Sequence, residues 1–378
     1  YLHLMDEQEA ITKAQALLNR PGDANVSPLA VYRRAAKADS VQQRRPNVVL
    51  IMMESMSAEF MKHFGQSETL TPFLDSLYTR SISFRNFYSA GIHTNHGLYA
   101  TLYSFPAMMK RNLMKGSVIP RYSGLPTVLK ENGYYNLFFM THEGQYDNMN
   151  AFFRTNGYDE VFSQEDYPAD KVVNSFGVQD DFLYDYAIPV LNQRAATGQP
   201  FFATLLSISN HPPYVIPPFF HPKTSEPETQ IVEYADWALR QFFEEARKQP
   251  WFDNTIFVLE GDHGKLVGDA ECELPESYNH IPLMIYSSRI QPEEKTTFGG
   301  QVDIQPTILG LLNIDYLQNN FGVDLLKEER PCMFYTADNM VVGRNDTLLY
   351  LYNYETQQEL TYAVSYTHLR AHETGRNL

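Results

Sequence analysis

The sequence predicts an α/β fold in which helices cover both faces of a mostly parallel central sheet, a three-layer αβα sandwich. Two observations lead to this fold class: continuous apolar runs rich in β-forming residues, and segments of helical periodicity between them. Strands that are apolar at every position are typical of sheets buried on both faces. The apolar runs lie at residues 47–53, 136–140, 201–208, 255–259 and 282–286.

The bulk composition fits a globular domain and excludes several other classes of protein. With 378 residues, of which 43% are hydrophobic, the chain can bury a large core. Its net charge of −15 repels nucleic acid and anionic lipid surfaces, so we expect no nucleic-acid partner, and local groups must hold any anionic substrate. Each apolar run is far shorter than the ~20 residues that span a bilayer, which favours strands over membrane helices.

The order of segments predicts one catalytic domain with additions at both ends. A helical pattern at 6–19 and a polar, basic stretch at 27–46 predict a stalk and connector over residues 1–46. We expect the catalytic domain at 47–326. A β-rich extension of the same domain is expected at 327–363.

The two chain ends carry their own signals. The chain begins at Tyr1 and shows no signal peptide, so we expect it to be a fragment whose own N-terminus, with any anchor or targeting segment, is missing. Residues 364–378 resemble translated adapter sequence and are predicted to be a non-native tail. The histidines of this tail, His368 and His372, are therefore left out of the candidate site.

The two cysteines, Cys272 and Cys332, do not have the spacing of a structural zinc site or a thioredoxin-type motif. A single disulfide and two buried thiols both remain open.

Polar side chains follow four of the predicted strands, at the point where each strand ends. Ligands of open parallel sheets bind beyond the carboxyl ends of the strands, where loops and helix N-termini meet. Any one of these residues alone also fits a helix cap or a packed histidine. Together they supply carboxylates and imidazoles, which suit zinc, manganese or magnesium with a position left open for substrate. The four groups are Glu54; Thr141, His142 and Glu143; Asn210 and His211; and Asp262 and His263.

Thr94 is the candidate nucleophile. It lies in the segment 91–97, just before a helical run at 98–103. Unpaired N–H groups and the positive end of the helix dipole favour both an alkoxide and a bound phosphoryl oxygen there, and a coordinated metal lowers the pKa of the hydroxyl further. The same position also suits a helix N-cap. The spacing leaves both interpretations open.

Six short motifs occur in a fixed order along the chain: NVVLIMMES at 47–55, TPFLD at 71–75, FRNFY at 84–88, SNHPPY at 209–214, GDHG at 261–264 and VDIQPT at 302–307. Taken together they resemble the lipoteichoic acid synthase-like branch of the alkaline phosphatase and sulfatase superfamily. The resemblance covers about residues 45–326 and implies an alkaline phosphatase-like fold. It also implies one divalent metal ion, with Mn²⁺ first and Zn²⁺ or Mg²⁺ as alternatives, held by four matched ligands: Glu54, Thr94, Asp262 and His263.

The resemblance implies roles for Thr94 and three histidines. Thr94 matches the nucleophile of these enzymes as well as a metal ligand. His211 matches a histidine that contacts substrate, and His280 lies where related enzymes place another active-site histidine. His142, in the loop after the second strand, is the third residue expected to bind substrate.

In enzymes of this branch, the threonine attacks the phosphorus of a lipid head group, releases diacylglycerol and passes phosphoglycerol to an acceptor. The resemblance therefore implies a transferase with phosphatidylglycerol as donor and a cell-envelope glycan or polymer as acceptor. Such a donor implies a place at the cell membrane, with the catalytic domain facing the periplasm or the exterior and the missing N-terminal helices as anchor.

Two departures from related sequences bear on specificity. Sulfatases carry a Cys or Ser in a C/S-x-P-x-R context, whereas this chain reads HTNHG at 93–97, so we do not expect sulfatase activity. Lipoteichoic acid synthases have a Trp and an Arg in the loop that here reads HEGQYDNMN, at 142–150. Tyr146, Asp147 and Asn148 either replace those contacts through hydrogen bonds or form a surface turn.

Several functions therefore remain open at this stage. The same site with ethanolamine lipid as donor would be a phosphoethanolamine transferase, and with water as acceptor it would be a phosphodiesterase or another sulfatase-type hydrolase. A non-catalytic metal-binding module is the remaining alternative.

Overall fold

The fold is described from a computed structural model, which covers residues 5–34, 45–107, 110–116, 118–270, 272–364 and 369–372. The helices are α1 (Glu7–Leu18), α2 (Pro72–Tyr78), α3 (Thr94–Tyr103), α4 (Leu125–Glu131), α5 (Met149–Thr155), α6 (Asp180–Ala196), α7 (Pro227–Ala246) and α8 (Ile304–Leu311). The strands are β1 (Ala24–Ser27), β2 (Ala30–Arg33), β3 (Asn47–Met53), β4 (Ile82–Tyr88), β5 (Tyr135–Phe139), β6 (Glu160–Phe162), β7 (Phe201–Leu206), β8 (Thr255–Gly261), β9 (Leu283–Tyr286), β10 (Glu293–Gly300), β11 (Tyr316–Gln318), β12 (Met333–Ala337), β13 (Met340–Arg344), β14 (Leu348–Asn353), β15 (Gln358–Val364) and β16 (Leu369–His372).

The central sheet has eight strands in the order β10-β4-β9-β8-β3-β7-β5-β6. Neighbouring strands are parallel except at β9, which runs antiparallel to β4 and β8. The predicted αβα sandwich with a mostly parallel sheet is confirmed. The antiparallel β9 makes the sheet mixed, a pattern that is common among large sheets.

Helices cover both faces of this sheet, which gives the three layers. One core contains side chains of α3, α4, α5 and α8 packed on one face. A second core contains side chains of α2, α6 and α7 on the opposite face. The strands β3, β7 and β8 are buried at every position, as their continuous apolar sequences predict.

The predicted strands are close to the observed ones, and the differences fall at the strand ends. The strand predicted at 47–53 is correct, β5 lies one residue earlier than 136–140, and β9 begins one residue later than 282. β7 ends two residues before 208, where the chain turns away into the loop that carries His211. β8 runs two residues past 259, because its parallel pairing with β3 continues to Gly261.

The connector predicted at 27–46 is wrong for its first part. β1 and β2 form a hairpin, and β2 pairs with β11, so this segment belongs to a three-stranded sheet. An ion pair of 2.9 Å between Arg33 and Asp23 closes the hairpin. The pairing partner is distant in sequence, so a local pattern of four-residue strands does not show it. Residues 35–44 of the predicted connector lie outside the described residues.

The segment at 327–363 contains β12 to β15, which with β16 form a five-stranded antiparallel sheet. Its inner face packs Met333 and Tyr335 against Tyr88 and the neighbouring core. β16 falls in the predicted non-native tail, whose residues 365–368 and 373–378 lie outside the described residues. That the tail is non-native stays a prediction. Both cysteines are free thiols, which removes the disulfide alternative.

Asp236 on α7 fixes the position of α2. Its two carboxylate oxygens accept the backbone N–H groups of Phe73 and Leu74 at 2.9 and 2.8 Å, in the first turn of that helix. These N–H groups have no acceptor within their own helix. Burial raises the pKa of Asp236 to about 7, although the two N–H groups act in the opposite direction. The contact joins two helices of one layer through a single buried carboxyl.

We predict that Asp236 makes stability fall as pH rises. Its pKa is about 7 in the folded state and about 3.9 when unfolded, so the folded state binds the proton more tightly. The stabilisation is complete below the unfolded pKa and is lost as pH rises through the folded pKa. Urea unfolding of the wild type and Asp236→Asn from about pH 5 to about pH 8 should show the wild type losing stability relative to the variant.

The exposed Asp253 provides a matched control, because Asp253→Asn makes the same change without a buried carboxyl. The free-energy difference between wild type and Asp253→Asn should stay flat over this range. A flat difference for Asp236→Asn as well would contradict the account.

Candidate active site

Glu54 and Asp262 stand side by side because β3 and β8 are parallel neighbours in register. Met53 pairs with Gly261 at the ends of the two strands, and the next residue of each strand carries the carboxylate. Both side chains are buried, at 1% and 0% exposure. With His263 they form a group whose ligand atoms all lie within 4.8 Å of one another. The predicted convergence of these strand ends is thus present in the structure.

The backbone around the two carboxylates holds them in place. The N–H groups of Ser55 and His263 donate to one oxygen of Asp262 at 2.8 and 2.7 Å. The Ser55 hydroxyl donates to Glu54 Oε1 at 2.7 Å. The Asn210 amide donates to the carbonyl oxygens of Glu54 and Ser55 at 3.2 and 3.0 Å, which ties the loop after β7 to the end of β3.

His263 presents one ring nitrogen to the carboxylates. Its Nδ1 lies 2.8 Å from the carbonyl oxygen of Gly264, which favours a tautomer with the proton on Nδ1. Its Nε2 is 3.7 Å from both Glu54 Oε1 and Asp262 Oδ2. Metal-bound histidines commonly use their other N–H in this way, because the hydrogen bond fixes the ring orientation.

Thr94 lies beside this group and is not the helix N-cap. The N-cap of α3 is His93, and Thr94 is the first residue of the helix. The Thr94 hydroxyl instead donates to Glu54 Oε2 at 3.4 Å. The N-cap interpretation of Thr94 is therefore wrong, because the helix begins one residue earlier than that role requires. The hydroxyl faces the carboxylates from the N-terminal end of α3, where the helix dipole is positive.

Two contacts bring α3 close to the end of β8. A Cβ at Gly97 would collide with the carbonyl oxygen of Asp262, so only glycine allows this approach. The Gln301 side chain donates to that carbonyl oxygen at 2.7 Å and accepts from the N–H of Ala90 at 2.9 Å. The loop before Thr94 and the strand before His263 are thus joined through one buried amide.

The three side chains of the cluster fit a divalent metal ion. Burial and the neighbouring Asp262 raise the pKa of Glu54 well above its usual value, so the pair is costly without a cation. Asp262 Oδ2 is buried with no hydrogen-bond partner in the described part of the chain. Two carboxylates, an imidazole and a hydroxyl are a hard ligand set that leaves room for substrate. Glu54, Asp262 and His263 would hold the ion, with Thr94 completing the set.

His142 and His211 lie together in an aromatic wall of the site. The ring of Tyr146 is 4.7 Å from that of His142, and the ring of Phe176 is 4.0 Å from that of His211. Tyr146 and Phe176 are also in contact, at 6.3 Å. Burial lowers the pKa of His142, against the opposing effects of a backbone contact and two nearby carboxylates. The lowered pKa favours the neutral ring.

His280 is placed differently from the other predicted site histidines. Its Nδ1 lies 2.8 Å from Glu59 Oε1, and its Nε2 lies 2.9 Å from the carbonyl oxygen of Arg85. Burial opposes the charged ring, but the Glu59 carboxylate outweighs it and raises the pKa of His280. Both ring nitrogens are thus engaged with the protein, and the ring packs edge-on against Phe64. Its predicted contact with substrate would require one of these bonds to open.

The loop after β5 contains Tyr146, Asp147 and Asn148, which the sequence left as either substrate contacts or a surface turn. Asp147 accepts from the Asn112 amide at 2.6 Å and pairs with Lys115 at 2.6 Å. The Asn148 amide donates to the carbonyl oxygen of Met114 at 3.0 Å. These two side chains fasten one loop to another, whereas the ring of Tyr146 packs at a tilt against that of His142 within the site wall.

The prediction of the site missed Lys265. Its Nζ donates to Asn210 Oδ1 at 2.5 Å and to the Tyr214 hydroxyl at 3.2 Å. Burial lowers the pKa of Lys265 to about 8, and the negative charge of Glu54 acts against this shift. Lys265 comes directly after the GDHG motif, and this position in the sequence could have identified it as a candidate site residue. Phe176 gave no such signal, because its place in the wall depends on a long loop.

The sequence and fold of this chain are similar to those of known proteins. A family model described as Sulfatase matches residues 46–314. A solved structure of a protein in the alkaline phosphatase superfamily from Vibrio parahaemolyticus superposes with a TM-score of 0.86 and 27% identity, covering 98% of this chain and 92% of that chain. A lipoteichoic acid synthase from Listeria monocytogenes superposes with a TM-score of 0.75 and 22% identity, covering 88% and 87%, and shares the fold.

Curated relatives match over a large part of this chain. Lipoteichoic acid synthase 2 from Bacillus subtilis is 24% identical over 315 residues, which cover 75% of this chain and 47% of that protein. Phosphoglycerol transferase I from Xanthomonas campestris is 26% identical over 322 residues, which cover 80% and 46%. This chain therefore spans about half the length of these relatives. In the part of the chain that the structure describes, no helix combines the length and apolarity needed to cross a bilayer.

We predict that Glu54→Gln abolishes metal binding without weakening the metal-free fold. The wild type should gain thermal stability when Mn²⁺ is added, by about 2.7 kcal/mol at a hundredfold excess over Kd. Glu54→Gln should lose this gain, since the amide removes one charged ligand. In the metal-free state the variant should be at least as stable as the wild type, because a buried carboxylate pair is relieved. Thermal unfolding with and without Mn²⁺ measures both effects.

The exposed Glu131 offers the same substitution away from the cluster, and Glu131→Gln should keep the full Mn²⁺ response. A Glu54→Gln protein that responds to Mn²⁺ like the wild type would show that this carboxylate is not a ligand.

Proposed function

This chain belongs to the sulfatase family, and from that premise we propose that it is a metal-dependent transferase that acts through Thr94. The transferred group is of phosphoglycerol type, the donor is a phospholipid, and the acceptor is a cell-envelope glycan or polymer. Relatives named lipoteichoic acid synthase and phosphoglycerol transferase support this choice within the family.

The observation that carries the proposal is the position of Thr94. Its hydroxyl lies 3.4 Å from Glu54 Oε2, next to the carboxylate and imidazole group and at the N-terminal end of α3. Glu54 is at the same time part of the group that could hold a metal ion. A hydroxyl nucleophile is therefore available where a sulfatase would need a modified Cys or Ser.

The proposed metal ion is Mn²⁺, with Zn²⁺ or Mg²⁺ as alternatives, held by Glu54, Thr94, Asp262 and His263. When bound, it supplies positive charge that lowers the pKa of the nucleophile and stabilises phosphoryl oxygens. The N-terminal end of α3 begins at Thr94, and the positive end of the helix dipole there also favours bound phosphoryl oxygens. Much of the catalysis then comes from positioning and electrostatics, as in other phosphoryl transfers.

The proposed reaction has two steps at phosphorus. Thr94 Oγ1 passes its proton to its hydrogen-bond acceptor, Glu54 Oε2, and attacks the donor phosphorus. The bond to the diacylglycerol oxygen breaks, and a phosphothreonine ester forms. The acceptor hydroxyl oxygen then attacks the same phosphorus, the bond to Oγ1 breaks, and Oγ1 takes its proton back from Glu54. Each step exchanges one oxygen substituent for another, so no oxidant or reductant is needed, and Thr94 returns to its starting state.

His211 is the proposed proton carrier. Its Nδ1 lies 2.6 Å from the carbonyl oxygen of Pro212, which leaves Nε2 for exchange with substrate. It would protonate the leaving diacylglycerol oxygen and then take the proton of the acceptor hydroxyl. His142, which packs against Tyr146 and has its Nδ1 3.1 Å from the carbonyl oxygen of Glu143, would bind the head group through its Nε2. His280 is proposed to contact substrate only after one of its two ring-nitrogen hydrogen bonds opens, since both nitrogens are paired with the protein.

The proposed site of action follows from the donor. A phospholipid donor requires the domain to work at a membrane surface, and we propose that the domain faces the periplasm or the exterior of the cell. The anchor would belong to the part of the whole protein that the relatives have and this chain does not cover.

We predict that Thr94→Ala abolishes transfer while leaving the fold intact. Turnover of phosphatidylglycerol should drop by about a thousandfold or more, because the covalent step is lost. Intact-protein mass spectrometry should detect a phosphoglycerol ester on the wild type during turnover and none on the variant. Thr94→Ser should retain part of the activity, since it keeps the hydroxyl.

The exposed Thr79 serves as the matched control, and Thr79→Ala should behave as the wild type in both measurements. Near-normal turnover by Thr94→Ala would rule out Thr94 as the nucleophile.

A second experiment tests which lipid is the donor and which molecule is the acceptor. We expect Mn²⁺-dependent diacylglycerol release from phosphatidylglycerol and not from phosphatidylethanolamine, with the phosphoglycerol group recovered on an added glycan or polymer. Release from phosphatidylethanolamine alone would establish the phosphoethanolamine transferase alternative. Free glycerol phosphate as the sole product, even with acceptor present, would establish a hydrolase.

A further inference from the structure

Positive charge is concentrated in one segment of this acidic chain. From Ser76 to Lys130 the sequence has seven basic residues and no Asp or Glu, although the whole chain carries a net charge of −15. This segment includes Thr94 and the loop that follows α3. Four of its basic residues lie in that loop: Lys110, Arg111, Lys115 and Arg121. We refer to these four side chains and Val118 as the basic loop.

The basic loop is tied by ion pairs to two segments that neighbour the candidate site. On one side, Lys115 pairs with Asp147, next to Tyr146 of the aromatic wall. On the other side, Lys110 pairs at 2.8 Å with Glu355, in the turn between β14 and β15.

A short chain of contacts leads from that turn to the nucleophile. The Asn339 amide donates to Glu355 at 3.5 Å, and Asp338 beside it lies 2.9 Å from His93 Nε2. His93 precedes Thr94 directly. The basic loop is therefore linked by side-chain contacts to the segment that carries Thr94.

The side chains of the basic loop are available to a partner. Those of Lys110 and Lys115 are 61% and 64% exposed, and the pair of Lys110 with the exposed Glu355 is a surface pair, which contributes little to stability. Arg111 and Arg121 are also exposed. Val118 is 80% exposed, and no large apolar side chain in the described residues is more exposed. Basic side chains around an exposed apolar residue are typical of surfaces that contact a lipid interface.

We propose that the basic loop binds the surface of an anionic phospholipid membrane and thereby presents the donor head group to Thr94. The inference deepens the proposed function and rests on it in one respect, that the donor is a phospholipid. Arg111, Lys110 and Lys115 contact lipid phosphates, and Val118 enters the interface. The acidic remainder of the domain is repelled by the same surface, so this loop orients the domain with its site toward the lipid.

A soluble polyanion is a poorer match for the basic loop than a membrane. A polyanion would need a continuous basic track, whereas the charges here surround one exposed valine, which gains free energy only by leaving water. Separate binding measurements with lipid vesicles and with soluble polyphosphate distinguish the two partners.

The test is co-sedimentation of the 378-residue chain with vesicles of phosphatidylcholine, with and without phosphatidylglycerol. We expect binding only when phosphatidylglycerol is present, and weaker binding as salt shortens the Debye length below about 8 Å. Arg111→Glu should lower the partition coefficient by about fivefold or more, and Val118→Asp should lower it as well. Unchanged binding of these variants, or no binding of the wild type, would overturn the proposal. Binding to soluble polyphosphate but not to vesicles would also overturn it.

Matched controls carry the same substitutions elsewhere. Arg247→Glu at the end of α7 and Val26→Asp in β1 change exposed residues of the same kinds, and both should bind vesicles as the wild type does. Equal losses in the controls would show a nonspecific charge effect and refute the assignment of the loop.

A water-soluble, short-chain phosphatidylglycerol separates this inference from the proposed function. If the wild type binds vesicles but does not turn over the short-chain donor, the proposed function fails and the membrane contact stands. If turnover is normal and vesicle binding is absent, the membrane contact alone fails.

Discussion

Two buried carboxylates at the ends of adjacent parallel strands are the constraint on which the rest of the site depends. Glu54 and Asp262 follow the paired residues Met53 and Gly261, so the register of β3 and β8 forces them together. One oxygen of Asp262 has no hydrogen-bond partner in the described residues, and burial raises the pKa of Glu54. Such a pair is costly by itself and becomes favourable with a cation. The fold therefore maintains a group whose arrangement suits metal binding.

The surrounding structure makes that group usable for chemistry. Gly97 and Gln301 hold α3 against the end of β8, and this contact brings the hydroxyl of Thr94 to Glu54. On the far side, His142 and His211 stand in an aromatic wall that is fastened to the basic loop through Asp147. The proposed nucleophile, metal ligands and proton carrier thus come from separate segments of the chain.

Much of the fold and part of the site could be predicted from the sequence, for physical reasons that differ. Buried parallel strands need apolar residues throughout, so β3, β7 and β8 are visible in the sequence. Polar residues directly after these strands are easy to recognise, because they follow continuous apolar sequence. The pairing of β2 with β11 is not visible, because it depends on a partner far along the chain. The pairing of His280 with Glu59 and the place of Phe176 are also tertiary contacts without a local pattern.

The central claim is that Glu54, Asp262, His263 and Thr94 together hold one metal ion. Crystals grown with Mn²⁺ and measured at the manganese absorption edge test it most directly. The account predicts one strong anomalous peak bonded to both carboxylates, to His263 Nε2 and to Thr94 Oγ1, with bond lengths of about 2.0–2.3 Å. A peak bonded to other side chains, or no peak among these four residues at saturating Mn²⁺, would contradict the claim.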